Sequence, residues 1–64
     1  MIKSETEQWV DVVYHYARDD YYDILKVQGG FKVRAHYPRW TEDSQVFDDI
    51  AQAKEWIEKD IAKG

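Results

Sequence analysis

The stretch YYDILKVQGGFKVRAHY, residues 21–37, sets two β-rich runs on either side of Gly29-Gly30. Glycine reaches the positive φ values that a tight hairpin turn demands, so the pattern reads as two antiparallel strands. The second run alternates. Phe31, Val33, Ala35 and Tyr37 share one face, and Lys32, Arg34 and His36 share the other. The register of the first run depends on the loop. A three-residue loop, Gln28-Gly29-Gly30, sets Val27 against Phe31 and Leu25 against Val33; a two-residue loop turns the first strand over. The three-residue loop is expected, because it keeps Lys26 off the apolar face.

The carboxy-terminal segment FDDIAQAKEWIEKDIAK changes period. Ile50, Ala53, Ile57 and Ile61 follow at spacings of three and four, one stripe of an amphipathic helix over about residues 48–63. Asp48 or Asp49 can cap its start by accepting free backbone N–H groups, and Asp49 with Gln52 has capping-box spacing. Acid at the start, with Lys59 and Lys63 near the end, suits the helix dipole.

The segment SETEQWVDVVYHYARDD reads two ways. As a helix it offers a Ser4-x-x-Glu7 capping box and a stripe of Trp9, Val12, Val13 and Tyr16. As a strand it sets Val10, Val12, Tyr14 and Tyr16 on one side and Trp9, Asp11, Val13 and His15 on the other. The density of Val, Tyr and Trp favours a strand, and a third strand supports a hairpin that is marginal alone. Residues 17–20 then make the turn. The expected fold class is α+β, a three-stranded antiparallel meander with one C-terminal helix packed on it; the alternative is helix, hairpin, helix. Pro38 ends the third strand, and residues 38–45 are expected to form a long loop.

Sixty-four residues make a single small domain, 1–64. A chain this short buries only about 60% of the surface its unfolded form exposes. It has no cysteine for a staple, so the three Trp, five Tyr and two Phe must supply the core. The start, MIKSETEQ, has no apolar signal-peptide region, and no apolar run approaches the roughly 20 residues that span a bilayer. A complete, small, cytoplasmic protein without membrane association is expected.

The net charge of −4 is unevenly spread. Residues 1–20 carry two basic side chains against five acidic, and residues 41–64 three against seven. Residues 21–40 carry Lys26, Lys32, Arg34 and Arg39 against Asp23 alone. These four cations could neutralise phosphates, with Tyr22 and Trp40 near enough to stack on bases. A three-stranded sheet on a supporting helix is similar, in architecture only, to the sheet-reading arm-binding domains of phage integrases, which implies a strand presented to a DNA groove. An isoelectric point near 4.9 opposes that reading. Strand-edge Lys and Arg also serve to prevent edge pairing.

Catalysis finds little footing. Ser4 and Ser44 stand in no nucleophile motif, and His15 and His36 have no third ligand at a defined spacing. The pairs Asp19-Asp20, Glu42-Asp43 and Asp48-Asp49 do not force two carboxylates to converge on a cation. Gly29-Gly30 belongs to no phosphate-binding pattern. The expectation is a non-enzyme with no metal and no cofactor.

The tryptophans point elsewhere. Trp56 lies about 100° off the helix stripe, between Asp49 and Asp60, and Trp40 follows Pro38-Arg39. Trp residues that a core does not need are favoured interface anchors. The expected function is therefore a non-catalytic protein-binding module with Trp40, Asp49, Trp56 and Asp60 as its contact set. Small acidic proteins of phages and mobile elements that inhibit host nucleic-acid machinery are the type in mind. Direct DNA or RNA binding by Lys26, Lys32, Arg34 and Arg39 is the alternative. A homodimer made by pairing an exposed edge strand or by burying the spare aromatics is compatible with either.

Overall fold

The structure, a computed structural model, describes residues 7–63. Strands β1 (Gln8–His15), β2 (Asp20–Val27), β3 (Gly30–His36) and β4 (Thr41–Asp43) precede one helix, α1 (Ile50–Lys63). They form one antiparallel sheet in the order β1-β2-β3-β4. The α+β class is as expected, with a fourth strand added. Residues 8–15 are strand, and Ser4 of the alternative capping box lies outside the described residues.

The hairpin register differs from the expected one. Val27 pairs with Gly30 across a two-residue turn, Gln28-Gly29, so Ile24 faces Val33 and Leu25 faces Lys32. Burial explains the choice. This register puts Tyr22 and Ile24 on the helix side beside Val33 and Ala35, and all four are fully buried. Lys26 shares that side but stands at the strand end. There it stays exposed, with Nζ 5.1 Å from the centre of the Phe31 ring.

The helix lies over β2 and β3 and buries Ala53 and Ile57 against them, with Trp56 and Ile61 at the margin. Asp49 caps it: Asp49 Oδ1 accepts the Gln52 N–H at 2.9 Å, while Gln52 Oε1 accepts the Asp48 N–H at 3.0 Å. Beyond the helix's main cover, β1 carries a bulge between Trp9 and Asp11. The extra residue, Val10, lets Val10 and Val13 both lean on the core despite their odd spacing.

β4 arises where a loop was expected. The chain reverses at Pro38-Arg39, the Tyr37 N–H donates to the Trp40 carbonyl at 2.9 Å, and residues 41–43 run back along β3. Phe31 and Phe47 extend this contact through an isolated bridge. The bridge leaves no room at Gly30, where a Cβ would run into the Phe47 carbonyl oxygen. Gly29, at a φ of 95°, has open space beside it.

Gly30→Ala is therefore expected to cost more stability than Gly29→Ala. The second substitution meets only left-handed backbone strain, about 1–2 kcal/mol. Urea unfolding of both variants checks this, and a Gly30→Ala cost equal to or below that of Gly29→Ala contradicts the packing described.

Candidate functional site

Paired residues on neighbouring strands share a face, so the register divides the sheet cleanly. One side holds Val13, Tyr22, Ile24, Val33 and Ala35 under the helix. The other carries Trp9, Val12 and Tyr14 from β1, Tyr21, Asp23 and Leu25 from β2, Lys32, Arg34 and His36 from β3, and Asp43 from β4. No element covers this second side among the described residues, and it is the candidate site.

Its cations are held internally. Arg34 forks between two carboxylates, donating from Nη1 and Nη2 to Glu7 at 3.2 and 2.9 Å and from Nε and Nη2 to Asp43 at 2.9 and 3.2 Å. Lys32 Nζ lies 3.0 Å from Asp43 Oδ2 and 3.1 Å from Glu7 Oε2. Hydrogen bonds from Arg34 and then Lys32 hold the Glu7 carboxyl below its ordinary range. At Asp43 the Arg34 hydrogen bond outweighs burial, and the carboxyl is pulled down to about 2. The hydrogen bond to Asp43, then that to Glu7, raises both Lys32 and Arg34. An exposed pair of this kind is worth about 0–1 kcal/mol by itself, but here two cations and two carboxylates join the chain ahead of β1 to β3 and β4.

Asp23 extends the network across β2. Its Oδ2 lies 2.8 Å from His36 Nε2, and its Oδ1 accepts the Trp9 indole N–H at 3.2 Å. His36 stacks on Tyr21 at 4.3 Å, Tyr21 meets Tyr14 at 5.9 Å, and Tyr14 stacks on Tyr16 at 5.6 Å. This aromatic row is open: Trp9 is 61% exposed, Tyr14 53% and Tyr16 84%. The residue pattern alone places Trp9, Tyr14 and Tyr16 on a strand or helix face without marking them as exposed. The available signal was a surplus of rings over what a 64-residue core can hold.

The cations expected to bind phosphate do not converge. Lys26 lies on the helix side of the sheet, Lys32 and Arg34 are engaged on the open side, and Arg39 stands in the turn before β4. The expected protein-contact set comes together in part: Trp40 and Asp60 line one cleft, Trp56 borders another, and Asp49 stands apart. Asp49 caps α1. Asp60 accepts hydrogen bonds from the hydroxyls of Tyr22 at 2.9 Å and Tyr37 at 2.7 Å. Burial pushes its carboxyl up, but those two bonds together with the charges of Lys63 and Arg18 leave it below its ordinary value, while burial and Asp60 push Tyr22 up to about 12. Trp56 meets Tyr22 edge-on at 6.5 Å and borders a cleft of about 470 Å³ with Phe47 and Glu55. Trp40, 57% exposed, borders a different cleft of about 420 Å³ with Arg18, Arg39, Asp60 and Lys63. Among the described residues, no three His, Cys, Asp or Glu side chains are grouped to hold a metal ion, and no helix is long and apolar enough to cross a membrane.

No family model, no curated protein and no solved structure matches the chain.

Two outcomes follow from the buried and paired carboxylates. Asp43 holds its proton less tightly in the native state than at its ordinary 3.8, so its contribution is present above about pH 4 and is lost as pH falls through about 2. Urea unfolding from pH 5 to pH 2 is expected to show a steeper loss for the native sequence than for Asp43→Asn; parallel curves contradict the ion-pair assignment. Asp60→Ala leaves the Tyr22 and Tyr37 hydroxyls without their acceptor and is expected to cost about 1–3 kcal/mol, read from the shift in the urea midpoint. A shift within error of zero contradicts that role.

Proposed function

We propose that this chain is a non-catalytic protein-binding module that docks through the open face of its sheet. The observation that carries the reading is the set of exposed rings, Trp9 beside the row Tyr16, Tyr14 and Tyr21, on a face that no element covers among the described residues. Rings mounted on strands lose little conformational freedom on docking, and Trp and Tyr dominate the energetics of protein interfaces. Trp9 is further held by its bond to Asp23.

Charge favours a protein over a nucleic acid as the partner. Lys32 and Arg34 on this face stand against Glu7, Asp23 and Asp43, and both cations already make short contacts to carboxylates. A phosphate would have to displace those carboxylates and would face the remaining negative charge. A basic protein surface meets the same face favourably, and complementary charge speeds and orients docking. Proteins that handle nucleic acids carry such surfaces, so covering one is the route by which this module would act as an inhibitor or accessory factor.

The test uses the immobilised chain to capture partners from an extract of the cells that contain it, compared with a Trp9→Ala/Tyr14→Ala variant and a Lys54→Glu/Lys59→Glu control on the helix. Partners depleted at least tenfold by the first variant and retained by the control support the proposal, provided circular dichroism shows both variants folded. Partners recovered equally from all three chains overturn it.

A further inference from the structure

We infer that two copies of this chain pair antiparallel along β1, about a two-fold axis at Val13, to make one continuous eight-stranded sheet. The inference rests on the strand edge and not on the partner surface proposed above; the two share Tyr14, and the other rings of that surface lie on the same side of both copies.

The two edges of the sheet are treated differently. The β4 edge is three residues long, all of them exposed, and acidic, with Glu42 and Asp43. The β1 edge is eight residues long, QWVDVVYH, and contains no Lys, Arg or Pro. Long apolar edges without those residues are templates for another strand. β1 also lies outside the main cover of the helix, and Val10, Val12 and Val13 stay only half-buried. Among the described residues two devices blunt this edge: the bulge between Trp9 and Asp11, and Asp11 itself, whose Oδ1 accepts the Val12 N–H at 2.8 Å; both lie at its start and leave residues 12–15 open to pairing. In the dimer the Val12 N–H is taken by the carbonyl of Tyr14 in the second copy.

Side chains select the register. A continuous sheet requires paired residues to come from the same face. Pairing Asp11 with its own copy sets like charges together, and a two-fold axis at Val12 sets Asp11 against Val13. An axis at Val13 instead puts Val13 beside itself on the core side and Val12 beside Tyr14 on the open side. It also puts Asp11 opposite His15, twice. His15 is prepared for this. Arg18 Nε donates to its Nδ1 at 3.3 Å, which leaves the ring proton on Nε2 as a donor for the carboxylate. The contact is isologous and closes at two chains.

Sedimentation equilibrium from about 10 to about 300 μM tests this on the full chain, with circular dichroism as the fold control. The native sequence is expected to reach twice the 7.7 kDa of one chain. Val12→Pro removes the outward N–H and is expected to weaken association at least tenfold without unfolding the chain, since an edge strand tolerates Pro where the N–H faces solvent. His15→Glu places a carboxylate against Asp11 and is expected to weaken association at least tenfold, and adding Asp11→Lys restores it. Residues 11 and 15 are about 13 Å apart along one strand, so that rescue operates only between copies. Should Val12→Pro fail to fold, the His15→Glu loss and its rescue decide alone. A native chain that stays monomeric throughout, or a dimer unchanged by folded Val12→Pro and by His15→Glu, overturns the inference.

Discussion

Val27 pairs with Gly30 across a turn of only Gln28 and Gly29, and that register assigns every side chain of β2 to a face. A slip of one residue would exchange the faces entirely. Tyr22 and Ile24 would then leave the helix, and Asp23 would leave the side that carries Trp9 and His36. Gly30 reinforces the register, because the close approach of the Phe47 carbonyl tolerates no side chain there. Tyr22 ties the result to α1 through Asp60 and Trp56, so the same register seats the helix.

Once the faces are set, the open side organises itself by charge and ring stacking. Glu7 and Asp43 flank Lys32 and Arg34, drawing the residue before β1 and the short β4 toward β3. Asp23 joins β1 to β3 across the strand between them. What faces outward is then aromatic and weakly acidic. The basic character of residues 21–40 is real in the sequence, but at Lys32 and Arg34 it is compensated in space by carboxylates from both flanking segments.

Much of the architecture was legible from the residues. The spacing of Ile50, Ala53, Ile57 and Ile61 located the helix, and Asp49 with Gln52 marked its start. The Val-rich run ahead of residue 16 and the Gly29-Gly30 turn located three strands. The register was misread because Lys26 was assumed to need exclusion from the apolar face, yet a lysine at a strand end is exposed on either face. β4 is too short to show in the residues, and of Thr41, Glu42 and Asp43 only Thr41 favours a strand; the turn at Pro38-Arg39 and the free edge of β3 make them one. The site was harder still. The Glu7–Arg34 pair spans 27 positions, and no local pattern announces it. Asp60 read as a surface acid because its partners, Tyr22 and Tyr37, are distant in sequence.

The central claim is that Lys32 and Arg34 serve the fold and leave the open face to protein contact. Fluorescence anisotropy of labelled single- and double-stranded DNA and RNA at about 50 mM salt, where phosphate contacts are strongest, tests it most directly. The account predicts no saturable binding to any of the four. Tight binding that weakens steeply with salt and is abolished by Lys32→Glu/Arg34→Glu would contradict it, and would make the open face a nucleic-acid platform.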